Sequence, residues 1–167
     1  MRKTKLQQST FIIAGIIFLT THLGGVPFTD SMDGTVTDTA TNLTWQKCSA
    51  AEIPGGISGD NIYNATCNST ARTYTWSNAL HYCKNLSLAG KTWRLPSVNE
   101  LKSIRDSGRC PPCADSTIFP NTVNSAYWSA SSYALNNAQA WYVDFAAGGL
   151  LQSNKTSLFR VRCVTGP

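Results

Sequence analysis

The sequence predicts a small α+β domain, on three observations. Helix-periodic segments lie in the middle of the chain and strand-like segments at both ends, the α+β arrangement. Six cysteines follow an apolar leader, which points to disulfides in an oxidising compartment. The length, 167 residues, suits one domain.

The leader is a different kind of sequence from the rest. Arg2, Lys3 and Lys5 precede "FIIAGIIFLTTHLGG", the pattern of a secretory signal peptide, expected over residues 1–25. Its apolar core, residues 11–19, is short for a bilayer span. Residues 26–33 are expected to be a short linker, and residues 34–167 the domain. After signal cleavage no stable membrane span is expected, and the protein would be secreted, periplasmic or at the cell surface. Three of the 14 Lys and Arg leave with the leader, so 11 stand against 9 Asp and Glu, about +2. That excess is too small to suggest a nucleic-acid partner.

Each element follows from local pattern. Residues 34–47, "GTVTDTATNLTWQK", predict a hairpin around an Asp/Thr/Ala/Asn turn. Residues 48–75 predict a long polar loop, and a Cys48–Cys67 bond would supply the tie that such a loop needs. "TWSNALHYCKNLSLAG" predicts a helix: Trp76, Ala79, Leu80, Cys83 and Leu86 form one apolar stripe. Thr75 or Thr73 caps it and Gly90 stops it. In "GKTWRLPSVNELKSI" a second helix starts at Ser97, where Ser97 and Glu100 match a capping box. Leu101 and Ile104 face the core, and Gly108 ends the helix. Beyond residue 110 the chain predicts strands: "YWSASS", then "AQAWYVDF" with Trp141, Val143 and Phe145 on one face. A Gly148-Gly149 turn follows, then "LLQSN" and "LFRVRCV" with Phe159, Val161 and Cys163 on one face.

The ordered segments "TNLTWQKC", "TWSNALHYCKNLSLAGKTWRLPSVNELKSI", "AYWSASSYA", "AWYVDFAAGG" and "RVRCV" carry a family pattern. Over about residues 34 to 164 the chain resembles the Lcl C-terminal domain family, formerly a domain of unknown function and named for a bacterial collagen-like surface adhesin. The resemblance implies a C-type-lectin-like fold, with two helices on a small, mainly antiparallel sheet, long loops, and terminal strands that pair. It implies a Cys83–Cys163 bond, consistent with the inward placement of both residues; Cys48–Cys67 is then a local tie, leaving Cys110 and Cys113. The collagen-like repeats of the adhesin are absent, so its trimerisation does not carry over.

Enzymatic readings find little support. The formylglycine-generating sulfatase activators share the broad fold and an Arg-Leu-Pro before a helix, but their late cysteine pair is missing. Only Cys163 lies late in this chain. Zinc would want two Cys/His pairs at ligand spacing, and Cys110-x-x-Cys113 stands alone beside a single domain histidine, His81. "CPPC" lacks the βαβ context of a redox motif and is expected to be a tight structural disulfide. His81 has no motif-linked nucleophile, and Asp106 and Asp115 are isolated carboxylates. Calcium needs clustered oxygens, and Asp60, Asn61 and Asn64 lack EF-hand spacing, so calcium is only a minor alternative and no cofactor is expected.

Binding is therefore the expected function, by resemblance to an adhesin domain associated with sulfated glycosaminoglycans. The expected partner is a polysaccharide or glycan, with a surface protein as the alternative. Anionic sugars need Lys and Arg. Lys84, Lys91, Lys102, Arg105, Arg109 and Lys155 are candidates, and a continued second helix would place Lys102, Arg105 and Arg109 on one face. Tyr133, Asn136, Asn137 and Gln139, in "SSYALNNAQ", form the expected ligand-facing loop. Trp128 and Trp141 are expected in the core. Trp93, Arg94, Leu95, Pro96, Ser97 and Glu100 are expected to be scaffold, with Arg94 satisfying carbonyls or a carboxylate where the second helix docks. Asn42, Asn64, Asn68, Asn85 and Asn154 stand in N-x-Ser/Thr sequons.

Overall fold

A computed structural model describes residues 27–50, 67 and 70–167. The leader, the calcium candidates Asp60, Asn61 and Asn64, and the Asn64 and Asn68 sequons lie outside the described residues.

The domain is α+β, with two antiparallel sheets, two helices and three disulfides. In the first sheet β1 (Phe28–Asp30), β2 (Thr35–Asp38), β3 (Thr44–Gln46) and β7 (Val164–Thr165) lie in that order. β1 falls in the stretch expected to be linker and pairs along β2. The predicted hairpin is β2–β3, with Val36 opposite Trp45. Its turn is held by Asp38, whose carboxylate accepts from the amides of Ala40 and Thr41. β3 also pairs with β7, so the two ends of the domain meet.

The second sheet is a meander of β4 (Ala126–Ser132), β5 (Gln139–Asp144) and β6 (Leu150–Asn154). The Gly148-Gly149 turn stands where the sequence predicts it, and Gly148 has φ +79, the left-handed region that suits glycine. One small sheet was expected; the two found are joined by the C-terminal segment.

That segment also departs from the predicted strand. Between residues 159 and 164 it bonds in turn to Tyr74, Ala126 and Trp128, Ala50, Gln46 and Arg94. It passes between several partners and ladders regularly with few of them, so only Val164–Thr165 is strand. Phe159, Val161 and Cys163 do pack inward, but Arg162 is buried as well, because neighbours surround the segment.

The first helix, α1, spans Trp76–Lys84 with Thr75 as its cap, which accepts from the Asn78 amide. It ends at Asn85, earlier than the predicted stop at Gly90. Leu86 and Leu88 leave the helix to cover Trp93, whose indole Nε1 donates to the Leu88 carbonyl at 3.0 Å. The second, α2, is Val98–Ser103, with the predicted capping box between Ser97 and Glu100. It too is shorter than predicted: Ile104 caps it, and a separate 3-10 turn, Ser107–Arg109, follows.

Two apolar clusters form the core. One gathers Val36, Trp45, Leu101, Phe119, Tyr127, Val143 and Phe145; the other gathers Ala79, Cys83, Trp93, Leu95, Trp128, Val161 and Cys163. Trp141 departs from expectation: it is half-buried and outside both clusters, because it stands near the start of β5, where it packs edge-on against Tyr133 of the β4–β5 loop.

The disulfides are Cys48–Cys67, Cys83–Cys163 and Cys110–Cys113. Cys83–Cys163 closes a separation of 80 residues, for which chain entropy gives about 4–5 kcal/mol. For Cys48–Cys67, at a separation of 19, it gives about 3 kcal/mol, and for Cys110–Cys113, at 3, about 1.6 kcal/mol.

Candidate functional site

The motif arginine is exposed, not buried. The Arg94 side chain is 43% accessible, yet its guanidinium grips Glu100 with both arms: Nη1 to Oε2 at 2.8 Å and Nη2 to Oε1 at 2.6 Å. Glu100 Oε2 also accepts from the Ser97 amide at 2.7 Å. The Arg94 bond, working against partial burial, pulls the Glu100 carboxyl down to about 2. The Arg94 backbone exchanges two bonds with Val164. "WRLPSVNEL" thus links the first turn of α2 to the C-terminal strand. Trp93, Leu95 and Pro96 are buried beside it.

The buried arginine is Arg162, 1% exposed. Nη1 donates to the carbonyls of Gln46 (3.0 Å) and Lys47, and Nη2 to Ser49 Oγ (3.1 Å) and Thr122 Oγ1 (2.9 Å). The guanidinium carbon lies 4.7 Å from the centre of the Phe119 ring. Burial lowers its pKa to about 10, which keeps it a cation at neutral pH. Ser49 and Tyr127 extend the network, their hydroxyls 2.7 Å apart. Arg162 fastens the end of β3 to the loop before β4. Nothing in the local pattern of "FRVRC" distinguishes it from an outward-facing residue.

The acidic groups are committed within the fold. Every Asp and Glu side chain among the described residues accepts a hydrogen bond from the chain. Asp30 holds Lys47 at 2.5 Å, Asp33 holds Thr35, and Asp38 and Asp144 hold their turns. Glu100 holds Arg94. Asp106 and Asp115 are joined through Arg109, at 2.9 and 3.3 Å. Asp115 also accepts from Thr117, and these bonds keep its carboxyl below its usual value.

The cations divide differently. Lys84, Lys91 and Lys102 are exposed and form no ion pair among the described residues. The half-buried Arg105 side chain has one hydrogen-bond partner among the described residues, the Ser107 hydroxyl at 3.4 Å. Its guanidinium lies over the β5–β6 turn, where a Cβ added at Gly148 would stand 2.9 Å from Nη1. Because α2 ends at Ser103, Lys102, Arg105 and Arg109 do not continue along one helical face. Lys102 is on α2, Arg105 packs on the turn, and Arg109 belongs to the 3-10 segment with two acidic partners.

The β4–β5 loop is partly as expected. Asn136 and Asn137 are exposed, and Gln139 is half-buried at the start of β5. Tyr133 is half-buried and meets Trp141 edge-on, ring centres 5.3 Å apart. Lys155 closes this corner: Nζ donates to Ser132 Oγ (3.0 Å) and the Asn137 carbonyl (2.9 Å), 4.1 Å from the centre of the Trp76 ring. This loop precedes β5, whereas Arg105 packs on the turn that follows it. His81 is exposed on α1.

A family model described as the Lcl C-terminal domain matches residues 34–165. No curated protein matches the chain.

Proposed function

The chain belongs to the Lcl C-terminal domain family, and on that premise we propose that it is a non-catalytic extracellular module that recognises sulfated or otherwise anionic glycans. The supporting observation is the asymmetry of charge: the described Asp and Glu side chains are held by internal donors, while Lys84, Lys91, Lys102 and Arg105 have no acidic partner among the described residues. Sulfate oxygens meet such groups through charge-assisted bonds. The exposed amides of Asn136 and Asn137 suit neutral sugar hydroxyls. With a domain charge of about +2 the attraction is local and salt-sensitive.

The fold reading belongs with this proposal. A C-type-lectin-like arrangement accords with the β3–β7 pairing, the two helices and the Cys83–Cys163 bond. Secretion and an adhesin role accord with three disulfides and the family. No described helix is long and apolar enough to cross a membrane.

The test is a glycan array of the oxidised domain carrying matched sulfated and desulfated chains, read over a salt series. Sulfate-dependent binding that weakens with salt is expected. Equal signals on the matched pairs, or none at low salt, would reject the reading.

A further inference from the structure

The three disulfides differ in access. Cys48, Cys67, Cys83, Cys113 and Cys163 are each 4% exposed or less, whereas Cys110 is exposed. Thiol–disulfide exchange needs an approach to sulfur, so access selects the bond that reacts first. We propose that Cys110–Cys113 is a covalent exchange site for small thiols, with Cys110 the attacked residue and Cys113 the retained partner.

The surroundings suit reversible opening. Cys113 is anchored without its disulfide: its amide donates to the Phe145 carbonyl at 2.8 Å, and its carbonyl accepts from the Asp106 amide at 3.0 Å. Cys110 follows the 3-10 turn, which Asp106 holds through the Gly108 amide at 2.8 Å and the Arg109 side chain at 2.9 Å. Arg109 also spans to Asp115 beyond Cys113. These bonds keep the two residues close after the sulfurs part. The bond closes a separation of only 3, so its loss releases little of the chain, and the other two disulfides still hold the domain.

The electron balance with a dithiol is simple. One thiolate of the dithiol attacks Cys110 Sγ, forms a mixed disulfide and displaces Cys113 as a thiolate, which takes a proton. The second thiol of the reductant then closes on the first and releases Cys110. The protein gains two electrons and the dithiol is oxidised to its cyclic disulfide.

The experiment titrates the native, oxidised protein with dithiothreitol, blocks thiols with iodoacetamide and maps the labelled peptides. Cys110 and Cys113 should be labelled about tenfold faster than the other four cysteines, with the thermal transition still cooperative. Equal or earlier labelling of Cys48, Cys67, Cys83 or Cys163 would overturn the proposal. A C110S/C113S double variant should take no label at the same dose; label there would also overturn it. The direction of attack is read from single variants treated with oxidised glutathione. C113S, which leaves the exposed thiol, should form its mixed disulfide about tenfold faster than C110S. Equal or reversed rates would contradict the assignment of Cys110.

Discussion

The joint around Arg162 and the surface around Lys102 and Arg105 use the same chemistry in opposite ways. At the joint a guanidinium is shut away from water and its arms meet two carbonyls and two hydroxyls. At the surface, Lys102 and Arg105 have no acidic partner among the described residues, and Arg105 packs on the β5–β6 turn with one hydroxyl, that of Ser107, within reach. A basic residue belongs to scaffold or to recognition according to how fully the fold satisfies it. Arg94 lies between them, exposed like a binding residue but saturated by Glu100 like a structural one.

Cys83→Ser with Cys163→Ser should cost about 4–5 kcal/mol in denaturant unfolding, the largest loss expected, because an 80-residue closure is removed. A cost near that of opening Cys110–Cys113 would refute this ranking.

Arg162→Met should come next, at about 3 kcal/mol or more. It removes the donor from the Gln46 and Lys47 carbonyls, at about 1–3 kcal/mol per unsatisfied group, partly offset by no longer burying a charge, while the Ser49 and Thr122 hydroxyls keep their bonds to Tyr127 and the Phe119 carbonyl. If the variant unfolded at the wild-type denaturant concentration, the joint would not be a structural centre.

The Arg94–Glu100 pair responds to pH. The Glu100 carboxyl falls from 4.5 to about 2 in the folded state, so its contribution is complete above about 4.5 and is lost as pH falls towards about 2. With the half-exposed guanidinium discounted for screening, the pair contributes about 1–2 kcal/mol over that window. Glu100→Gln should flatten this acid limb, and Arg94→Ala should lower stability by about 1 kcal/mol while leaving glycan affinity unchanged. An Arg94→Ala protein that kept its melting temperature and lost binding would move Arg94 into the recognition surface.

Much of this was legible because it is local. The hairpin, the caps at Thr75 and Ser97, the "LLQSN" strand and the glycine turn each depend on residues a few positions apart, and each formed where its pattern predicts. Helix ends were less legible. Leu86 keeps the apolar spacing of α1, yet the helix ends at Asn85 and the chain turns there, with the Leu88 carbonyl held by the Trp93 indole, a tertiary contact. Arg162 was not legible at all: three of its partners lie 113 to 116 positions away, and its strand-like context suggests an exposed side chain. The candidate surface was half legible. Its residue types could be named, but the break after Ser103, which separates Lys102, Arg105 and Arg109, could not.

The smallest structural effect carries the largest functional weight. Lys102→Ala with Arg105→Ala should change stability by no more than about 0.5 kcal/mol, because no acidic partner among the described residues is lost. The decisive measurement is the affinity of this double variant and the wild type for one heparin-type sulfated oligosaccharide, at low and physiological salt. Weaker binding and a shallower salt dependence are expected in the variant, with an unchanged melting temperature. Wild-type affinity and salt dependence in the variant would contradict this expectation.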